Sequence, residues 1–312
     1  MCSRSRIAIA GLFAFCLAGA TIPEAQADEA KSVGSLLANY HFRRVHMERT
    51  GADLFVRVSI DSRPATLVVD TGSPFTTLDR NTIAAYRLNE MQTSLGLNSS
   101  IGHTSEHVGL GRLRSIELAN IVLSNDAFTV VDLSAMNSGK PVRAAGVFGL
   151  SHMRKLGAVI DCGQRALYLN PHGATPDSEA KLEKFLTSRG FVRIPIRVNP
   201  ARLPEVDCRI NGLESKIVIE TAAFTTILEK QVALRAGVRL AETGFRGEGV
   251  GKLSAAISSG LAKQFSVGTF QTQNQKLSAQ EGSFAVLGID YLSAHDAVID
   301  CGGMTLFLRH RP

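Results

Sequence analysis

An apolar run that ends in an acidic residue and a threonine occurs twice in this chain. The first copy is Leu67–Ser73 (LVVDTGS) and the second is Ile217–Ala223 (IVIETAA). In each copy a β-strand pattern delivers a carboxyl group, that of Asp70 or Glu220, onto a short turn. Main-chain N–H groups and hydroxyls in such a turn can hydrogen-bond a carboxylate and keep it ionised. The pattern therefore predicts two similar halves, each presenting one acidic side chain.

A second pair of markers follows the first in the same order. Gly146–Leu150 in the first half corresponds to Val286–Asp290 in the second, and the sequence AVIDCG occurs at both Ala158–Gly163 and Ala297–Gly302. Self-similarity at a fixed period indicates a repeated structural unit. We therefore predict an internal duplication in which Asp70 is equivalent to Glu220.

Each half resembles a retropepsin-like domain in its order of strand, acidic turn, flap hairpin, apolar-apolar-Gly segment, short helix and closing strands. The two-lobed plan is similar to pepsin-like enzymes, and the resemblance covers almost all of the chain after its N-terminal segment. It implies a mostly β, bilobal aspartic-protease (acid protease) fold with two pseudo-symmetric β-barrel-like lobes and short helices. It also implies a peptide or protein substrate, an endopeptidase activity, and no metal or organic cofactor. The second half departs from the family because Glu220-Thr221-Ala222 stands where Asp-Thr-Gly is expected.

Hydrolysis by this fold needs two facing carboxyl groups that share a proton, one as base and one as acid. Asp70 is one candidate catalytic residue and Glu220 is the other. The extra methylene of Glu220 moves its carboxyl group by about 1.5 Å, one C–C bond length. Three interpretations stay open from the sequence: a working Asp70–Glu220 pair, a non-catalytic peptide-binding pseudoprotease of the cell envelope, and a homodimeric site built from two copies of Asp70.

Four neighbouring residues are expected to support the site. Thr71 and Thr221 match the family threonines that brace the two acidic turns against each other. Gly72 permits a tight turn, and a positive φ at the equivalent Ala222 would strain the second turn. Ser73 is expected to hydrogen-bond the outer oxygen of Asp70, which favours Asp70 as the ionised member because Ala223 cannot do the same.

The lobes are expected at residues 35–170 and 191–312, joined by a linker at 171–190. The linker contains a helix pattern with Asp177 or Ser178 as its N-cap. Segments 95–114 and 244–252 are expected to be flaps over a cleft. The spacing of His103 and His107 lacks the further ligands that a metal site needs, and Asp161 and Asp300 are expected to cap turns.

The N-terminus has the layout of a secretory signal. Arg4 and Arg6 precede an apolar run, and Ala25-Gln26-Ala27 provides small residues for cleavage. We expect residues 1–27 to be removed, the protein to be periplasmic or secreted, and no stable membrane insertion to remain afterwards. The net charge of +6 is scattered over the chain, with no basic stripe that would favour nucleic-acid binding. We expect a monomer.

Three cysteines lie after the signal segment: Cys162, Cys208 and Cys301. Cys162 and Cys301 occupy equivalent repeat positions, so a disulfide between them is one interpretation and export would permit it. Buried free thiols are the favoured interpretation.

The signal pattern predicts that the exported protein begins at Asp28. Mass spectrometry of the intact protein recovered from the periplasm or medium tests this directly. Recovery of a chain that retains Met1 would contradict it.

Overall fold

The structure, a computed structural model, describes residues 31–51, 53–93, 97–99, 102–104, 107–248, 254–282 and 284–311. For residues 97–99, 102–104 and 248 it describes the backbone only. The expected signal segment and parts of both expected flaps lie outside these ranges. The fold is mostly β, with 47% strand and 17% helix.

The first half contains three short α-helices: α1 (Val33–Ala38), α2 (Ser134–Asn137) and α3 (Leu150–Lys155), with a 3₁₀ helix at Ile83–Tyr86. Its strands, in chain order, are β1 (Arg43–His46), β2 (Glu48–Thr50), β3 (Asp53–Ile60), β4 (Arg63–Asp70), β5 (Thr77–Asp79), β6 (Glu90–Gln92), β7 (Leu97–Ser99), β8 (Gly102–Thr104), β9 (Gly109–Arg112), β10 (Ser115–Leu118), β11 (Ile121–Ser124), β12 (Ala127–Val131), β13 (Gly146–Gly149), β14 (Val159–Asp161) and β15 (Ala166–Leu169).

Helix α4 (Pro176–Thr187) follows, and the second half adds α5 (Lys230–Arg235) and α6 (Ile289–Ala294). Its strands are β16 (Val192–Pro195), β17 (Arg197–Val198), β18 (Pro204–Ile210), β19 (Leu213–Ile219), β20 (Ile227–Glu229), β21 (Leu240–Glu248), β22 (Ser254–Val267), β23 (Phe270–Gln280), β24 (Val286–Leu287), β25 (Val298–Asp300) and β26 (Thr305–Leu308).

The two halves repeat one strand pattern. In the first, a ten-stranded sheet contains the order β3-β4-β13-β5-β12, and in the second an eight-stranded sheet contains β18-β19-β24-β20-β23. The pairs β4–β13 and β5–β12 are parallel, as are β19–β24 and β20–β23. The second sheet closes on itself because β18 also pairs with β22. The expected mostly β, bilobal fold is confirmed.

A six-stranded antiparallel sheet joins the two halves in the order β1-β15-β14-β25-β26-β16. At its centre β14 pairs with β25, and Ile160 lies opposite Ile299. Both of these side chains are fully buried. This sheet fixes the two lobes relative to each other through main-chain hydrogen bonds and shared apolar packing.

Hairpin turns set the register of the strands that lead to the two acidic residues. Asn211 and Gly212 have φ values of 48° and 89°, the conformation that a two-residue turn between twisted strands requires. Asp61 and Ser62 form the equivalent turn, with φ values of 45° and 66°. The sequence placed Pro64 in that turn, whereas the structure places it within β4.

The linker helix α4 lies where it was expected, but Thr175 is its N-cap rather than Asp177 or Ser178. The Thr175 hydroxyl accepts a hydrogen bond from the Ser178 N–H, and the Ser178 hydroxyl accepts one from the Thr175 N–H. This reciprocal capping box satisfies two amide donors at the helix start. Leu182 and Leu186 of α4 pack with Leu37 of α1.

Cys162, Cys208 and Cys301 are buried and free. Burial raises the thiol pKa of all three, that of Cys208 to about 12. The packing-thiol interpretation therefore fits the structure. No helix in the described part of the chain has the length and apolar character needed to cross a membrane.

Because the thiolate is the reactive form, native protein should react negligibly with a thiol reagent such as DTNB at pH 8. After unfolding without reductant, a chain beginning at Asp28 should yield three thiols. A fast-reacting thiol in the native state, or a deficit after unfolding, would contradict the assignment.

Candidate active site

Asp70 and Glu220 each follow three buried residues at the end of a strand. Residues Leu67, Val68 and Val69 of β4 are at most 1% exposed, as are Ile217, Val218 and Ile219 of β19. Asp70 lies opposite Gly149 of the parallel strand β13. The Glu220 N–H donates to the carbonyl of Leu287 in β24, at 3.1 Å. The two acidic residues therefore project from equivalent, rigid positions.

Two threonines connect the acidic turns across the lobe boundary. The Thr71 hydroxyl donates to the carbonyl of Ile219 (2.7 Å), and the Thr221 hydroxyl donates to the carbonyl of Val69 (2.7 Å). Each hydroxyl also accepts a main-chain N–H from the other threonine, at 3.1 and 3.2 Å. Both threonines have no exposed surface. We refer to these four hydrogen bonds as the threonine lattice.

The threonine lattice brings the two carboxyl side chains together over Gly72. A Cβ atom placed on Gly72 would lie 2.5 Å from Cγ and 2.8 Å from Cδ of Glu220, and 3.1 Å from Oδ1 of Asp70. The longer Glu220 side chain thus occupies the space that any side chain at position 72 would need. Gly72 is required here for close approach.

Backbone strain does not distinguish the two turns. Neither Gly72 nor Ala222 has a positive φ, so alanine at position 222 carries none of the strain that a left-handed conformation would impose. The Ala222 side chain packs instead against Phe55, Val68 and Ala144 of the first lobe.

The donors around Asp70 come from the main chain. The Gly72 N–H donates to Asp70 Oδ1 at 2.8 Å, and the Ser73 N–H also favours the ionised form. The Ser73 hydroxyl donates to the carbonyl of Phe75 at 2.8 Å. The expected hydroxyl bond from Ser73 to Asp70 is therefore wrong, because that hydroxyl closes its own turn.

Burial raises the pKa of both carboxyl groups, that of Asp70 to about 6 and that of Glu220 to about 8. The negative charge of Asp70 contributes to the shift of Glu220. The Gly72 N–H opposes the effect of burial at Asp70. Asp70 is therefore the more acidic member, as expected, although its donors are main-chain N–H groups rather than the Ser73 hydroxyl.

A further layer supports each acidic turn from behind. In the first lobe the Thr76 hydroxyl accepts the Gly149 N–H (3.1 Å) and lies 2.7 Å from Nδ1 of buried His152. In the second lobe Thr226 accepts the Gly288 N–H (3.1 Å) and donates to Asp290 (2.8 Å).

Sequence reasoning missed the roles of His152 and Asp290, although the Gly-apolar step before each of them is repeated in the two halves. It also missed Asp53, which forms an ion pair with Lys140 next to Asp70. Continuing the β3–β4 strand pairing away from its turn would have identified Asp53 as the residue across from Asp70.

Two other acidic residues, Asp161 and Asp300, cap turns as expected. Asp161 accepts the N–H of Gln164 (2.8 Å), and Asp300 accepts the N–H of Gly303 (2.9 Å), so both cap turns. The side chain of His103 lies outside the described residues. No group of three metal-ligating side chains occurs in the part of the chain that the structure describes.

Two exposed aromatic side chains follow the acidic turns. Phe75 is 39% exposed and Phe224 is 72% exposed. The guanidinium of Arg202, from the second lobe, lies 5.6 Å from the ring centre of Phe75. These rings provide apolar surface close in sequence to both carboxyl groups.

Comparison with known proteins gives a family match in the first lobe. Residues 56–152 match the family model described as aspartyl protease, a range that includes Asp70, the threonine turn and the β13–α3 support. This match supports membership of the aspartic protease superfamily for the first lobe.

No curated protein gives a significant match to this chain. Basic 7S globulin from soybean is similar in structure, with a TM-score of 0.47 and 13% identity over 86% of this chain and 94% of that one. Aspartic proteinase from Irpex lacteus has a TM-score of 0.49 and 14% identity over 86% of this chain and 97% of that one. Both likenesses are weak, and the family match is the basis of the assignment.

The threonine lattice predicts that loss of either threonine hydroxyl greatly lowers the free energy of unfolding. Thr71→Val leaves the Ile219 carbonyl and the Thr221 N–H unpaired, and each buried unpaired group costs about 1–3 kcal/mol. The free-energy change of the double variant Thr71→Val/Thr221→Val should differ from the sum of the single variants by about 0.5–3 kcal/mol, because the two residues are in direct contact. Urea unfolding measures both effects.

Thr187→Val is the matched control, because the Thr187 hydroxyl makes only a local bond to the carbonyls of Glu183 and Lys184 on an exposed helix surface. Its free energy of unfolding should change by less than about 0.5 kcal/mol. Equal decreases in the free energy of unfolding for Thr71→Val and Thr187→Val would contradict the stabilising role of the threonine lattice.

Proposed function

We propose that this protein is an exported aspartic-type endopeptidase that hydrolyses peptide bonds with the Asp70–Glu220 pair and an activated water. The observation that carries the proposal is the threonine lattice, which places two partly exposed carboxyl groups of unequal acidity against each other at Gly72.

The acidities assign the two roles. Ionised Asp70 accepts a proton from a water held between the carboxyl groups while the water oxygen attacks the peptide carbonyl carbon. Protonated Glu220 donates its proton to the carbonyl oxygen, which gives a neutral tetrahedral diol. Breakdown of the diol cleaves the C–N bond, with the proton on Asp70 passing to the leaving nitrogen and a diol proton returning to Glu220. The pair ends in its starting state, and one water is consumed.

The fold also supports binding of an extended peptide. A substrate strand between the lobes could form main-chain hydrogen bonds to the hairpins on either side, as in β-strand addition. The exposed rings of Phe75 and Phe224 favour apolar side chains next to the scissile bond. We propose export because of the signal pattern at residues 1–27, and a monomer because one chain supplies both carboxyl groups.

The singly protonated pair predicts a bell-shaped pH profile. Activity should fall below about pH 6 as Asp70 becomes protonated, and above about pH 8 as Glu220 ionises. Asp70→Asn and Glu220→Gln should each reduce kcat by at least about 100-fold. Glu220→Asp should retain activity, with a shifted profile. Initial rates on one peptide identified from a mixed peptide library measure all three.

Stability provides a control that does not depend on cleavage. Since both folded-state pKa values lie above those of the unfolded chain, the pair stabilises the fold below about pH 4, and this contribution is lost as the pH rises toward 8. Glu220→Gln should flatten this dependence. Full activity in Glu220→Gln would show that the second carboxyl group takes no part. Peptide binding without cleavage by the unaltered protein would instead favour the peptide-binding pseudoprotease.

A further inference from the structure

A third carboxyl group lies beside Asp70 within the first lobe. Strands β3 and β4 pair antiparallel with Phe55 opposite Val68 and Val56 opposite Leu67. Continuing this register by two residues places Asp53, the first residue of β3, opposite Asp70. Directly opposed residues of an antiparallel pair project to the same face, with Cβ atoms about 5 Å apart.

Asp53 forms an ion pair with one lysine. Its carboxylate accepts a hydrogen bond from Nζ of Lys140, and the two side chains are 10% and 35% exposed. Lys140 lies in the loop after α2. The two hydrogen bonds between the Asn137 side chain and the main chain of Ala144, at 2.9 and 3.0 Å, close this loop. The ammonium group is therefore held at Asp53 by an ordered segment.

The second lobe has an apolar residue at the equivalent place. In β18 and β19, Glu205 lies opposite Val218, so the same continuation places Leu203 opposite Glu220. Leu203 is buried and packs with Val218 and Val286. The two catalytic candidates thus differ in the residue that the continued register places across from them, which is Asp53 for Asp70 and Leu203 for Glu220.

Like charges at directly opposed positions destabilise a strand pair. The charge of Asp53 raises the pKa of Asp70, while Lys140 compensates Asp53. The charged groups near Asp70 are therefore Asp53 from its own lobe, which is paired with Lys140, and Glu220 from the other lobe.

We propose that Asp53 and Lys140 are positioning residues that set the acidity of Asp70, with Lys140 as the counter-ion that allows both neighbouring carboxylates to be ionised together. Neither residue takes part in bond making or breaking. The consequence for catalysis rests on the proposed function, whereas the electrostatic coupling does not.

The test is a carboxyl-carbon NMR titration of the full mature chain labelled at aspartate, with the Asp70 signal assigned by Asp70→Asn. Asp53→Asn removes a negative charge while keeping the shape of the side chain, and it should lower the Asp70 midpoint by about one pH unit. Lys140→Met should raise the sum of the Asp53 and Asp70 midpoints by about one pH unit, because the remaining pair shares protons.

Two variants separate charge from structure. Lys140→Arg retains the positive charge and should keep the midpoints of the unaltered protein. Lys230→Met removes an ammonium group of similar exposure, 39%, that is paired with Glu281 in the second lobe, and it should move neither midpoint. An unchanged Asp70 midpoint in Asp53→Asn, or an unchanged sum in folded Lys140→Met, would overturn the proposal. If Lys140→Met does not fold, Asp53→Asn alone decides.

Peptide cleavage provides a second readout that separates the two proposals. In Asp53→Asn the acidic limb of the kcat profile should move to lower pH with the NMR midpoint, giving up to about a tenfold gain in kcat below pH 6. Shifted midpoints in a protein that cleaves no peptide would refute the endopeptidase and leave the coupling intact. Cleavage with unshifted midpoints would refute the coupling alone.

Discussion

The threonine lattice is the interaction on which the rest of the site depends. Thr71 and Thr221 each use their hydroxyl as donor to one lobe's strand end and as acceptor for the other threonine's amide. No water reaches this position to replace a lost partner, since both side chains are fully buried. The lattice and the six-stranded sheet thus both connect the two lobes. The threonine lattice therefore sets the separation between the two acidic turns.

A glutamate at the second acidic position changes what its surroundings must provide. Its extra methylene extends over Gly72, so the space that a Cβ would occupy at that residue is filled from the other lobe. The equivalent position in the second turn tolerates alanine, because Ala222 has an ordinary backbone conformation and packs on Phe55, Val68 and Ala144. The two turns have similar backbone conformations, but their side chains make different contacts with the opposite lobe. The main-chain donors at Asp70 separate the acidities of the two carboxyl groups, whereas the charge of Asp53 raises the pKa of Asp70 and reduces the difference.

The raised pKa values of the two carboxyl groups have a common physical origin. Both carboxyl groups are surrounded by protein on the side of the strands, and two negative charges this close cannot both be accommodated at low cost. Main-chain N–H groups of Gly72 and Ser73 stabilise charge only at Asp70. A single negative charge shared by the two carboxyl groups is the state that the proposed activation of water requires.

The sequence alone determined the strand pattern, the two acidic turns, the Asn211-Gly212 hairpin and the mostly β fold, because periodicity, turn residues and repetition are local properties that a chain displays in order. It also indicated that Thr71 and Thr221 pair, through resemblance to a family. It did not predict the hydroxyl partner of Ser73, the close-approach role of Gly72, or the support from His152 and Asp290. Only the tertiary structure decided these, since each depends on which atoms from distant segments share a buried space. Asp53 is an intermediate case. Continuing the strand register places it opposite Asp70, but only the folded loop after α2 brings Lys140 to it.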